Sequence, residues 1–186
     1  MCGIKRPGFT LLELVVVVAI MAILATIIIP QLGRGNARKQ REQFVMKFNT
    51  LLRHTAVDAI ATNKVHKVII DIVHHAITIQ QQTTQKTTEG QWVYKTPRRA
   101  YAQVPLVIPP TYSVKNCVVE GFDEMSSFAG GTAKTVWFYI MPQGLAQAVT
   151  LNILDRTDKN PAQGQQFGLV LNPLTVQFRM YDAWQE

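Results

Sequence analysis

The sequence predicts an α+β fold: a long N-terminal helix packed on an antiparallel β-sheet domain. Three observations predict it. Phe9 to Ile29 is a run of 21 residues carrying one charge, Glu13. From Asn36 to about Thr62, apolar residues recur at helical spacing. From Val65 onward the chain changes to short runs with strand composition, separated by turn residues.

The apolar run comes first. At ~1.5 Å per helical residue it is roughly 31 Å long, enough to cross the hydrocarbon core of a bilayer. Residues 9–29 are therefore read as a transmembrane helix. A carboxylate at the bilayer centre costs about 2.5–3.5 kcal/mol, so Glu13 calls for a functional reason. Lys5 and Arg6 stand before the run, followed by Pro7-Gly8. A secretory signal peptide has its small-residue cleavage site after the apolar run, whereas here the small residue precedes it.

The stretch Gly8-Phe9-Thr10-Leu11-Leu12-Glu13 resembles the type IV prepilin signature shared by type IV pilins and type II secretion pseudopilins. The resemblance covers about the first 30 residues. It implies that residues 1–8 are a leader, cut by prepilin peptidase between Gly8 and Phe9, and that Phe9 is then N-methylated. Glu13, the fifth residue of the mature chain, becomes an assembly residue. The physical rationale is neutralisation between the Phe9 amine of one subunit and Glu13 of a neighbour. Two unit charges ~4 Å apart attract by about 1 kcal/mol in water and about 4 kcal/mol at an effective dielectric near 20. The implied partners are other pseudopilins or pilins, prepilin peptidase and the bacterial inner membrane, with the C-terminal domain in the periplasm. Arg34, Arg38, Lys39 and Arg41 follow the run, so a bare positive-inside count places that domain in the cytoplasm instead. The resemblance requires the leader at the cytoplasmic face and overrides that count.

Residues 30–63 read as an amphipathic continuation of the helix. Pro30 is tolerated in a membrane helix, with a kink, where neighbours satisfy the freed carbonyl. With Gly33 and Gly35 it predicts a bend or partial melting across Pro30 to Gly35. Phe44, Phe48, Leu51 or Leu52, Thr55, Ala59 and Ile60 form the stripe expected to pack on a sheet. Arg38, Lys39, Arg41, Glu42, Lys47 and Arg53 are placed mostly off it. The basic cluster at 34–41 is either a solvated helix face or a contact with phospholipid head groups, at about 1 kcal/mol per basic residue.

Residues 64–186 read as the periplasmic β-rich domain. Asn63-Lys64 ends the helix. Val65 to Ile72 and Ala76 to Gln80 are the arms of a hairpin, and Gln80 to Gly90 is a polar loop. Trp92 to Tyr94 is a short strand. Pro97, Pro105, Pro109 and Pro110 make the next stretch irregular, with one edge strand at most. Tyr112 to Val119 is a strand and Gly121 to Thr132 a loop. Thr135 to Met141 is a strand, Pro142-Gln143-Gly144 a turn, and Ala148 to Leu154 a strand pairing back. Asp155 to Gly164 is a loop, and Phe167 to Leu171 with Leu174 to Met180 a final hairpin around Asn172-Pro173.

An aromatic strand, Pro-x-Gly, a returning strand and a terminal pair with Pro-Leu-Thr resemble the domain shared by pseudopilin H and the minor pilin FimT. This second resemblance covers about residues 135–180. The usual glycine after Pro-Leu-Thr is replaced by Val176. The two resemblances together imply a minor pseudopilin of a type II secretion system. The alternative is a FimT-like minor type IV pilin that binds DNA for uptake.

No catalytic pattern, phosphate-binding glycine loop, H-E-x-x-H motif or paired cysteine ligand set occurs, so no enzyme, cofactor or metal is predicted. His74 and His75 are adjacent, and in a strand they point to opposite faces. Asp155, Asp158 and Asn160 do not have the spacing of an EF-hand. Cys2 lies in the leader, which leaves Cys117 alone and without an internal disulfide. The precursor carries a net charge of +7, lowered by two when Lys5 and Arg6 are removed. Arg98 and Arg99, beside Trp92, Tyr94 and Tyr101, have the composition of a nucleic-acid contact, with a solvated loop as the plainer reading.

Overall fold

A computed structural model describes residues 11–126, 133–157 and 164–185, with the backbone alone described for 24–36. It resolves into two compact units, residues 1–40 and 41–186. Helix α1 spans Leu11–Thr62. Helical backbone continues through Pro30 to Gly35, so the expected melting does not occur there. Proline removes one i→i−4 bond, and the bonds on either side of it suffice to carry the helix on. Asn63 ends the helix at φ +51. The Asn63 and Lys64 N–H groups donate to Ile60 and Ala59 carbonyls, the two bonds of a Schellman cap.

The second unit holds two antiparallel sheets. The first has the order β3-β2-β1-β7, from β1 (His66–Asp71), β2 (Ala76–Lys86), β3 (Trp92–Lys95) and β7 (Thr135–Ile140), with the short β4 (Leu106–Val107) also on β2. The second has the order β10-β9-β8-β5-β6, from β5 (Tyr112–Val119), β6 (Phe122–Asp123), β8 (Val149–Asp155), β9 (Gln165–Asn172) and β10 (Gln177–Tyr181). A four-residue helix α2 (Ala100–Gln103) lies in the stretch expected to be irregular.

Two of the expected loops are partly strand. The Gln80–Gly90 loop is half strand, because β2 runs to Lys86 and pairs with β3. Its Thr and Gln side chains suit an outer stretch of sheet, and polarity alone hid the ladder. Residues 122–123, also placed in a loop, pair with β5 across a turn at Glu120 and Gly121, both at positive φ.

The larger correction concerns β7 and β8, which do not pair back on each other. The end of β7 is joined instead to the segment before β8, by an isolated Ile140↔Ala146 bridge. β7 lies on β1 in the first sheet, while β8 lies between β5 and β9 in the second. β8 is buried along nearly its whole length, as a central strand with two neighbours must be. The turn after β7 therefore passes the chain from one sheet to the other. Gly144, at φ +78, allows this, since a Cβ there would sit 2.7 Å from Ile60 Cδ1.

The β1–β2 and β9–β10 turns share one design. Asp71 Oδ1 accepts from the Val73 and His74 N–H groups, and Asn172 Oδ1 from those of Leu174 and Thr175. Each turn ends on a left-handed residue, His75 at φ +50 and Val176 at φ +52. The missing glycine of the sequence pattern is thus the position that needs positive φ. A β-branched residue there is strained by about 1–3 kcal/mol. Burial of the Val176 side chain offsets this.

Phe44, Phe48, Leu52, Thr55 and Ala59 of α1 are buried, as the stripe predicts. Phe44 meets Tyr112 edge-on and Phe48 tilts against Phe178, which meets Phe138 of β7. The helix so joins both sheets in one core. Ile60 departs from the expectation at 58% exposed, and Arg41 at 2%.

Asn49 settles one edge. Its Nδ2 donates to the Phe178 carbonyl at 3.0 Å, and its Oδ1 accepts from the Phe178 N–H at 2.7 Å. The carboxamide thus stands in for a neighbouring strand beside β10. Asn49→Ala removes both partners from Phe178 and is expected to destabilise the protein by about 1–3 kcal/mol. The readout is the urea midpoint of the full chain in detergent, and an unchanged midpoint would refute the role.

Candidate functional site

Glu13 lies in the first turn of α1 and is exposed, as is every described side chain from Leu11 to Ile23. Gly8 and Phe9, the sites of the expected cleavage and methylation, lie outside the described residues. Among the described residues no helix is long and apolar enough to cross a membrane. Of the expected 9–29 span, only Leu11–Ile23 has described side chains.

Two charged side chains of α1 sit inside the apolar stripe, each held by its own polar cluster. Arg41 Nη2 donates to Gln165 Oε1 at 2.8 Å, and its Nε lies 3.7 Å from Asp155 Oδ2. Its guanidinium also lies over Phe167, 5.6 Å from the ring centroid. The other Asp155 oxygen accepts from the Thr157 N–H and hydroxyl. Arg41 is accordingly unavailable to a lipid head group, unlike the exposed Arg38 and Lys39. Asp158 and Asn160, which with Asp155 lack the spacing of an EF-hand, lie outside the described residues.

The second cluster centres on Asp58. Its Oδ2 accepts from the Tyr101 hydroxyl at 3.1 Å and meets His66 Nε2 at 3.2 Å, while its Oδ1 accepts from Arg99 Nε at 3.1 Å. His66 Nδ1 faces the Lys64 carbonyl at 3.1 Å, so both ring nitrogens face oxygen acceptors. His54 stacks on Tyr101. The cluster ties β1 and the segment around α2 to the end of α1. Burial, then the Asp58 carboxylate, holds the Tyr101 hydroxyl above the ordinary tyrosine range.

The sequence-predicted Arg98, Arg99, Trp92, Tyr94 and Tyr101 do not form one patch. Arg99 and Tyr101 reach Asp58, whereas Tyr94 pairs with Gln82 and contacts Tyr139 on the opposite face of the first sheet. Arg98 and Arg99 are both exposed, Arg99 by 59% even with its bond to Asp58. His74 and His75 lie in a turn, where His74 Nδ1 contacts Asp71. Sequence reasoning missed Arg41 and Asp58, although both fall at helical spacing with Phe44, Phe48, Leu51 and Thr55. Buried Cys117 is inert, its thiol raised to about 12 by burial and then by Asp123 and Glu124. Among the described residues no group of three or more His, Cys, Asp or Glu side chains is placed to hold a metal.

Residues 5–29 match the prokaryotic N-terminal methylation motif. The matched stretch carries both Gly8-Phe9 and Glu13. No curated protein sequence matches the chain. Two solved structures of the minor pseudopilin EpsH, from the type 2 secretion system of Vibrio cholerae, align with it. One is 14% identical over 83% of this chain and 97% of its own, with a TM-score of 0.38. The other is 13% identical over 81% and 93%, with a TM-score of 0.37.

Breaking the Asp58–His66 contact from one side is expected to cost about 1–3 kcal/mol, because a buried polar group loses its partner. Asp58→Leu should therefore destabilise strongly, and Asp58→Leu with His66→Phe should recover part of the loss. A double-mutant cycle on urea midpoints reads the coupling, and strictly additive losses would refute it.

Tyr112 gives a pH prediction. Burial, then Asp155, raises its hydroxyl to about 12, with Arg41 acting in the other direction. At lower pH both folded and unfolded chains keep the proton, so stability is intact. Above the ordinary value of ~10 the unfolded chain releases it first, and stability falls until about pH 12. Tyr112→Phe should remove this share of the alkaline loss, measured as melting temperature against pH.

Proposed function

We propose that the chain is a minor pseudopilin of a type II protein secretion system, a structural subunit of a pseudopilus rooted in the inner membrane. It works by assembly and not by catalysis. Prepilin peptidase cuts between Gly8 and Phe9, and the new Phe9 amine is methylated. Phe9 to Ile29 anchors the chain in the bacterial inner membrane, with residues 64–186 in the periplasm. Other pseudopilins pack against the anchor helix, and the β domain meets neighbours at its surface.

The observation that carries this reading is the methylation motif over residues 5–29, with a carboxylate at the fifth position of the mature chain. N-methylation leaves the Phe9 amine cationic. In a low-dielectric filament core that amine and a neighbour's Glu13 each need an opposite charge, because an unpaired one is expensive. A long helix followed by an antiparallel domain is the architecture such an assembly uses, with the helix as the packing element. The resemblance of residues 135–180 to the domain shared by pseudopilin H and the minor pilin FimT supports a minor subunit.

Mass spectrometry of the chain from its native membrane is expected to find an N-terminal N-methylphenylalanine at Phe9. Glu13→Ala should leave cleavage and membrane insertion unchanged and sharply reduce incorporation into the pseudopilus and secretion. An uncut chain starting at Met1 would sink the prepilin reading. Normal incorporation of Glu13→Ala would sink the charge-pairing argument alone.

A further inference from the structure

The face of the first sheet opposite His66 and Asp58 carries four aromatic rings and two lysines. Trp137 and Tyr139 stand on β7, Tyr94 and Trp92 on β3, with Lys67 on β1 and Lys86 on β2. The registers put them on one side. Tyr139 is opposite Lys67, Tyr94 opposite Gln82, and Trp92 opposite Lys86. Lys67 Nζ lies 4.0 Å from the Trp137 ring centroid and 5.8 Å from that of Tyr94, and the Tyr94 and Tyr139 rings are 6.0 Å apart. Lys86 Nζ lies 4.4 Å from the Trp92 ring centroid. The two tryptophans remain substantially exposed, Trp137 by 39% and Trp92 by 45%.

The charge of this face is one-sided. Asp71, the carboxylate pointing the same way from β1, is drawn into its own turn by the Val73 and His74 N–H groups and by His74 Nδ1. An ammonium carries three N–H donors, so Lys86 against one ring and Lys67 near two each keep at least one for an anion. A partner matched to both features carries repeated negative charge and flat rings of its own. An acidic peptide supplies the charge and leaves the rings unmatched. A nucleic-acid duplex supplies phosphates and keeps its bases inside. A single strand offers an unstacked base and a phosphate at every step.

We infer that this face binds single-stranded nucleic acid, with bases stacking on Trp137, Tyr94 and Trp92 and phosphates meeting Lys67 and Lys86. The site lies away from Arg99 and Tyr101 and is independent of the secretion reading, which would survive its failure.

The test is a titration of the full chain in non-ionic detergent with a labelled oligothymidylate, followed by anisotropy and tryptophan fluorescence at low and high salt. Binding should quench the tryptophans and weaken as salt rises. Trp137→Ala should weaken it roughly tenfold by loss of a stacking ring. Trp92→Ala, on edge strand β3, should act in the same direction. Lys67→Gln should lower the salt slope by about one. Lys115→Gln, on the second sheet, should change neither quantity. The inference is overturned by no binding at low salt, by equal affinity for a duplex of the same length, or by equal affinity for polyglutamate. It is equally overturned if Trp137→Ala and Trp92→Ala both bind as the parent does.

Discussion

The β domain depends on how its strand edges are closed. Two sheets that stay open leave backbone N–H and C=O groups unpaired where each meets the rest of the molecule, and a buried unpaired group costs about as much as a lost hydrogen bond. Carboxamides solve this at two edges, and a third satisfies the C-terminal tail. Asn49 of α1 bonds both backbone groups of Phe178 on β10. Gln147 does the same for Tyr139 on β7, accepting with its side chain and donating with its backbone N–H. Asn152 holds both backbone groups of Gln185, so that the C-terminal tail crosses the second sheet. Gly168 lets the tail come close, as a Cβ there would lie 2.8 Å from the Ala183 carbonyl.

The helix surface follows the same logic with charges. A helix that served only as a lid would present an unbroken apolar stripe. Here the stripe is interrupted by Arg41 near its start and Asp58 near its end, and each is matched by groups from distant parts of the chain. Arg41 finds Gln165 and Asp155, while Asp58 finds His66, Arg99 and Tyr101. Buried ion pairs contribute little net stability but penalise misregistered packing, since a slipped helix strands a charge. These two clusters therefore fix where along α1 the sheets attach. The assembly role proposed for Glu13 uses the same physics between subunits.

Much of the fold was legible because its signals are local. The α1 stripe, the helix stop at Asn63, the β5 strand and the final hairpin follow from periodicity and turn chemistry. Non-local pairing was not legible. Nothing local distinguishes a β7–β8 hairpin from a chain that changes sheets, because both need an aromatic strand, a Pro-x-Gly turn and an apolar strand. Arg98 and Arg99 looked like neighbours of Trp92 and Tyr94 in sequence, and strand alternation sends Tyr94 to the face opposite Tyr101. Arg41 and Asp58 were readable from spacing, but polarity outweighed position.

The sequence by itself determined the N-terminal methylation motif, because that pattern is linear: Gly8-Phe9, the apolar run and Glu13 need no fold to be matched. It also determined where helix gives way to strand, since backbone preference and turn residues act within a few positions. The tertiary structure alone decided which strands share a sheet, which face each aromatic ring occupies, and which charges on α1 are buried. Those outcomes depend on partners more than a hundred residues apart, such as Arg41 with Gln165 and Asn49 with Phe178. Such contacts are chosen by the joint closure of the core and leave no trace in any short window of sequence.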